Sequence, residues 1–438
     1  MTANKARRAR HTVLALVVTV VGLVCAGVLT VAGVRTLEDS KAGRVVGAET
    51  TQSQQLPKTS TALVGTVDED GRLTSLVVMV LNADGLGGSI VSFAPSADSL
   101  SGNDKVLRPL GAVLAVEGPD EFRFAAEILT NLSFDVIELV DAQRFTQLIT
   151  PLGDFPVRLP TGLHDASSGD AWPKGEIVMS AAEAARAVTA VDPSIADWYL
   201  EPGRTAVWQA IANRVGAGIG SAQAPPAGVP IASLDDFLRR LFAANVDHRS
   251  LTFQVIDDAR VADQLPIELA RAFGPVAVRA VVAHDRAEVL MVLAAIAPGR
   301  MGAPSSAPSF RIVSAFGEDD LAPLELTNAD AIKRAIGPLL YLQGNIISVV
   351  NRADEAVPDV TVVEVADPST IPAVTEIYSQ LFGPIEVRPA TGTIEGIDIV
   401  ITLGRSYLEW LGSEPATDVA GSLDDETSDT SESTSAAG

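Results

Sequence analysis

The 438 residues carry 55 Asp and Glu against 32 Lys and Arg, a formal charge of −23, with 47% hydrophobic residues and one cysteine. That apolar content excludes global disorder, and the length allows two or three domains with cores of their own. The acidity argues against nucleic acid or an anionic membrane surface as partner, because phosphate binding relies on clustered Lys and Arg.

Part of the apolar content is local. Thr12 to Val34 is an unbroken run of 23 uncharged residues, and at about 1.5 Å per residue a helix of that length crosses a hydrocarbon core of roughly 30 Å. A cleaved signal peptide has a shorter apolar core, roughly 7 to 15 residues. The run therefore reads as a retained transmembrane helix. Lys5, Arg7, Arg8 and Arg10 precede it with no acid among them. By the positive-inside rule residues 1–11 are expected in the cytoplasm, and all that follows Val34 outside the cell membrane. Cys25 falls within the span, so no intrachain disulfide is available to the exterior.

Residues 35–60 are polar and Gln/Thr-rich, without sustained periodicity, and read as a flexible stalk. Folded material is expected over 61–300. "LTSLVVMVLNADG" and "GGSIVSFAP" read as a β-hairpin, and "PDEFRFAAEILTNL" has helical spacing with Pro119, Asp120 and Glu121 at its start. "DVIELVDAQRFTQLITPLGDFPVRLP" reads as strand, helix, Gly turn and strand, and Ser180 with Glu183 forms a capping box. Helix 234–244, strand 251–256, helix 267–273, strand 276–282 and helix 287–297 continue the α/β alternation. A Pro/Gly/Ser linker then leads to a small α/β unit, 309–412, with two similar βα halves. The last residues, 413–438, are acidic and Ser/Thr-rich and read as a disordered tail.

Local motifs for chemistry are sparse. The four histidines stand apart in the chain, and no cysteine lies outside the apolar span, so no zinc spacing is present. There is no Gly-x-Ser-x-Gly elbow. The spaced glycines of "GAGIGSAQAPPAGVP" follow a helix and lead into prolines, the wrong context for a nucleotide loop. "DEDG" at 68–71 lacks the later ligands of a calcium loop and reads as a solvated turn.

The order of "SLVVMVLN", "IVSFAPSADS", "FDVIELVDAQRFTQLITPLGDFPVRLP" and "AAEAARAVTAV" resembles the LytR-CpsA-Psr (LCP) family of cell-envelope proteins. "VVEVADPSTIPAVTEIYSQLFG" and "IDIVITLGRSY" are similar to the LytR C-terminal domain. The most specific stretch is Asp135 to Pro160, including Asp141, Phe145 and Gly153. The resemblance implies an α/β/α layered domain with a mixed sheet, followed by a small α/β domain. It also implies a phosphotransferase that moves a glycopolymer from polyprenyl pyrophosphate to peptidoglycan, using arginines on the pyrophosphate and a carboxylate on Mg²⁺.

The family's site maps unevenly onto this chain. Its Pro-Arg-Asp-Thr loop falls on Pro95 to Ser99, where the acid Asp98 and the hydroxyl of Ser99 stand without the arginine. A metal-binding Asp falls on Ser75. One arginine falls on Val191, and the Asp-x-x-Arg-x-x-Arg-Gln motif corresponds at best to Asp197, Glu201, Arg204 and Thr205. The carry-over therefore nominates Arg204 and Asp98 as catalytic, Asp98 as metal ligand, and Lys105, Arg108 and Ser99 as ligand-binding; in an active enzyme Glu201 could join Asp98 on the metal. The bland readings are Arg204 on a helix surface, Asp98 as a turn acid, Lys105 in solvent, and Asp141 and Gly153 serving the fold. Thr61 to Val215 holds 10 Lys and Arg against 21 Asp and Glu, a poor receptor for a dianion. The expected protein is thus a degenerate LCP relative that binds or scaffolds a polyprenyl-linked glycopolymer, peptidoglycan or other envelope-assembly proteins. It needs no cofactor, and Mg²⁺ only if it is an active phosphotransferase.

Overall fold

The computed structural model describes residues 54–100, 106–219, 230–272, 281–302 and 307–413. The apolar run 12–34, Lys105, the spaced-glycine stretch after 219, most of the strand expected at 276–282, and the acidic tail lie outside them. Among the described residues no helix is long and apolar enough to cross a membrane.

The first lobe is built on a five-stranded sheet. β1 (Thr61–Val67), β2 (Leu73–Leu81) and β3 (Gly88–Phe93) form an antiparallel meander; β4 (Val136–Val140) adds parallel to β1, and β9 (Val246–Ser250) parallel to β3. Every residue of β2 and β3 is buried, which requires cover on both faces, since successive side chains point to opposite sides. Leu63, Val78, Val91 and Phe93 join α1 (Leu110–Glu117), α2 (Pro119–Thr130) and α9 (Arg286–Ile296) on one side. Ala62, Val64, Val77 and Ile90 join α3 (Ala142–Ile149), α4 (Ala181–Thr189), α5 (Glu201–Val215) and α6 (Leu234–Leu241) on the other. The expected α/β/α layering with a mixed sheet is present.

Local signals act as read. Ser180 and Glu183 form the reciprocal capping box of α4, Gly153 turns at φ 64°, and Asp141 caps α3 by accepting the Arg144 N–H at 2.7 Å. Asp141→Ala is expected to lower stability by about 1 kcal/mol, measured by chemical denaturation of the full chain. β5 (Phe155–Leu159) pairs with β8 (Gly175–Met179), and β6 (Leu163–His164) with β7 (Ala171–Trp172). Helix α6 is shorter than expected, because the Arg240 carbonyl accepts from Gly87 beside β3 rather than continuing the helix. The strand expected over 251–256 is broken: β9 ends at Ser250 and β10 covers Phe253–Val255. Between them Thr252 donates to Glu288 and its carbonyl accepts from His284. β10 pairs with β11 (Val282–His284), and the short helices α7 (Asp258–Gln264) and α8 (Ile267–Ala272) lie between these strands in sequence.

The second lobe has the order β13-β12-β16-β14-β15, with β12 (Ser309–Ser314), β13 (Asn345–Asn351), β14 (Thr361–Val365), β15 (Ile385–Pro389) and β16 (Ile399–Thr402). Two parallel pairs, each crossing over through a helix, are α10 (Asn328–Tyr341) between β12 and β13, and α11 (Ile371–Phe382) between β14 and β15. These are the two similar halves; β16 joins them, and α12 (Arg405–Ser413) closes the lobe. Leu290 and Leu293 of α9 share one apolar cluster with Phe310 and Ile346, and Lys333 pairs with Asp285 at 2.9 Å. The end of the segment read as a stalk is held too: Gln54 exchanges backbone bonds with Thr393 and Glu395, and Arg300 donates to the carbonyl of buried Thr59.

Candidate functional site

Parallel strands β1, β3 and β4 end at one edge of the first sheet, the place where open α/β sheets commonly receive ligands. Three features meet the chain there: the Pro95–Ser99 loop after β3, the β1–β2 turn, and the Asp141 cap after β4.

The Pro95–Ser99 loop is packed into the protein. Asp98 N donates to Val282 O at 2.8 Å, Val282 N returns a bond to Ser96 O at 3.1 Å, and Gly111 and Leu110 donate to Pro95 and Ala97. Asp98 and Ser99 are each 2% exposed. One Asp98 carboxylate oxygen accepts from Arg108 N at 2.7 Å and Leu100 N at 3.3 Å. Burial raises its pKa, opposed by those backbone bonds and by the charge of Arg260. Asp98 thus serves its own turn through Leu100 N and the facing stretch of chain through Arg108 N. Ser99 spends its hydroxyl on the Arg108 carbonyl at 2.9 Å. Arg108 sends its guanidinium to Glu117 at 2.5 Å, and only its main chain meets Asp98.

Arg204 lies on the other side of the sheet. The surface-helix reading is overturned, because the residue is 0% exposed. Its NH2 donates to Ala190 O at 2.7 Å, and its NH1 lies 2.8 Å from Asp197 Oδ1. That second contact is an ion pair without hydrogen-bond alignment, since neither Nε nor NH1 has an aligned acceptor. Packing is close beside it: Gly203 sits so tightly against Leu163 that a Cβ there would come within 2.6 Å of it. Glu201, in the first turn of α5, accepts from Thr205 at 3.1 Å and leaves Oε2 without a partner. Burial pushes its pKa up to about 8 against the pull of Arg204, and Asp197 adds to the rise. One turn after Arg204, Trp208 donates its indole N–H to Ser75 Oγ at 2.8 Å. The position where the resemblance expects a metal-binding Asp is thus a buried serine bonded to an indole.

Asp98, Ser99 and Arg108 are therefore neighbours through the Arg108 main chain, while Arg204 is not brought to them. Ala97 and Leu107, which flank Asp98, belong to one apolar cluster; Ala190, Leu200 and Val207, around Arg204, belong to the other. Nor do they suit Mg²⁺, which favours ionised, accessible carboxylates. Asp98 is buried and already takes two backbone donors, and burial pushes Glu201 toward its neutral form. Among the described residues no three His, Cys, Asp or Glu side chains gather as a metal-binding group.

The open feature of this edge is a cleft of about 880 Å³ whose lining includes Asp68, Asp70, Arg72, Asp141, Asp165 and Arg186. With Glu69, five carboxylates face two guanidinium groups, and both arginines are paired, Arg72 with Asp70 at 2.9 Å and Arg186 with Asp170 at 2.7 Å. Val191, where the resemblance expects an arginine, also lines it. Asp165 is raised by burial, but bonds from Ser168, Val191 and Ser167 outweigh this and hold its pKa below the ordinary range. "DEDG" is the turn expected of it, with Asp68 accepting from Asp70 N and Arg72 N. The sequence reading missed Asp165, Arg186 and Trp208; "HDASSGD" offered a clue to the first, since Asp before Ser-Ser-Gly favours a side-chain-to-backbone turn.

No family model matches the chain, and no curated protein matches it. Among solved structures it is similar to B. subtilis TagV, with 16% identity and a TM-score of 0.35 over 50% of this chain and 95% of that one. For B. subtilis TagU the values are 14%, 0.31, 53% and 92%; for B. subtilis TagT they are 13%, 0.33, 57% and 91%. All three are LCP proteins, the family that the motifs of this sequence resemble.

Proposed function

We propose that this is a membrane-anchored, extracytoplasmic protein of cell-envelope assembly, whose LCP-like lobe binds or scaffolds a glycopolymer and does not transfer its phosphoryl group. The observation that carries the reading is Arg204: the arginine nominated for the pyrophosphate is buried and spent on Asp197 and Ala190. The carboxylate-rich cleft supports it, since fixed negative charge opposes a pyrophosphate but leaves uncharged sugar hydroxyls free to bind. The anchor rests on the 12–34 run and its basic flank, and the envelope role on the order of motifs.

The test incubates the full chain, in detergent, with polyprenyl-pyrophosphate-linked glycan, peptidoglycan and Mg²⁺, and follows thermal stability and transfer together. The expected result is a stabilisation indifferent to Mg²⁺ with no glycan transferred. Mg²⁺-dependent transfer to peptidoglycan would establish the active phosphotransferase in its place.

A further inference from the structure

Helices α10, α11 and α12 of the second lobe form one layer: Tyr407 of α12 donates to the Ala331 carbonyl of α10 and meets Phe382 of α11 at a tilt, 5.7 Å between ring centroids. That layer covers the face of the sheet carrying Phe310, which meets Tyr378 of α11 edge-on at 6.0 Å. Strand register places the opposite face. Ser348, Arg311, Val400, Glu364 and Arg388 align as one row across all five strands, with Val350, Val313, Thr402, Val362 and Glu386 as the next. Arg311, Val350, Val362, Val400 and Thr402 on this face are half-buried.

Arg311 is anomalous there. Buried Arg204 and Arg240 and half-buried Arg144 and Arg300 each have a carboxylate partner. Among the described residues Arg311 has none; its one bond is from Nε to Ser348 Oγ at 3.4 Å. The neighbouring charge is another cation, Arg352, which adds to burial in lowering its pKa and is itself paired with Glu355 at 3.1 Å. Glu364, two strands away, is taken by Arg388 at 3.1 Å. A half-desolvated guanidinium beside a like charge calls for an anion.

The chain carries one. Residues 414–438 hold seven acids and no base, with Val419 and Leu423 as their large apolar side chains. They follow directly from Ser413 of α12, which belongs to the same lobe. The r.m.s. span of any flexible chain of this length is about 27 Å, comparable with the diameter of a domain of about 100 residues. Every face of the lobe is within reach.

We propose that the acidic segment 414–438 docks on the helix-free face of the second-lobe sheet and supplies the counter-charge for Arg311. The test measures phenylglyoxal modification of Arg311 by mass spectrometry in three proteins: the full chain, the chain ending at Ser413, and a full-length variant with Asp424→Asn, Asp425→Asn and Glu426→Gln. Labelling should rise severalfold in both altered proteins, and salt should produce the same rise in the full chain. Equal labelling in all three would overturn the proposal. A rise on truncation without one on neutralisation would overturn the charge pairing, and protection that grows with protein concentration would assign the segment to a second copy.

Discussion

Replacing Arg204 with alanine is expected to destabilise the protein by about 3–5 kcal/mol, the cost of breaking a buried ion pair from one side. Three losses combine. Asp197 loses its counter-charge, the Ala190 carbonyl loses its donor, and a side chain with no solvent exposure leaves a cavity in the packing of α5. Arg204→Lys should fall between the variant and the parent, because one ammonium cannot replace a planar fork that serves Ala190 and Asp197 together. Chemical denaturation of the full chain, followed by tryptophan fluorescence, measures both. A fully buried arginine predicts this large stability loss; if Arg204→Ala unfolded at the parent's denaturant midpoint, the burial assigned here would be wrong. The result also bears on ligand experiments, since any binding lost in Arg204→Ala must be separated from the loss of fold.

The second large effect concerns pH. Glu201 has its folded pKa raised from 4.5 to about 8. The stability associated with its neutral form is therefore fully present below the unfolded pKa, and is lost as pH rises toward and through the folded one. Between pH 4.5 and 7 this slope amounts to about 3 kcal/mol as an order of magnitude. Glu201→Gln stays neutral throughout, so its stability should fall less than the parent's over this range, leaving the variant ahead near pH 8. Thermal midpoints of both proteins from pH 4.5 to 8 test it. Parallel curves would mean that Glu201 is ionised in the fold, held by Arg204.

A different titration works at the far edge of the sheet. Ser92 and Gln209 hold His248 between β3 and α5 at 2.9 and 3.0 Å, and burial pushes its pKa down to about 4. That contribution has the opposite sign: it is present above the ordinary histidine value and is lost as pH falls from 6.5 toward 4. The two groups on or against α5 thus pull the stability maximum toward intermediate pH.

Legible along the chain is whatever depends on neighbours a few residues apart. The capping box at Ser180, the turn at Asp68 to Gly71, the hairpin β2–β3 and the two βα halves of the second lobe were legible, because caps, turns and apolar periodicity act within one or two turns of chain. The missing arginine before Asp98 and the excess of acids from Thr61 to Val215 were equally plain. Where the surviving residues point is set by contacts between distant segments. Arg204 is held by the Ala190 carbonyl and Asp197, and Gly203 beside it meets Leu163, forty positions earlier in the chain. The Pro95–Ser99 loop is sealed by backbone bonds from Val282 and Leu110, and the cleft joins residues from β1–β2, α3 and the turn before β7. Such contacts leave no periodic trace, because long-range packing is set by shape and desolvation, which emerge when distant segments meet.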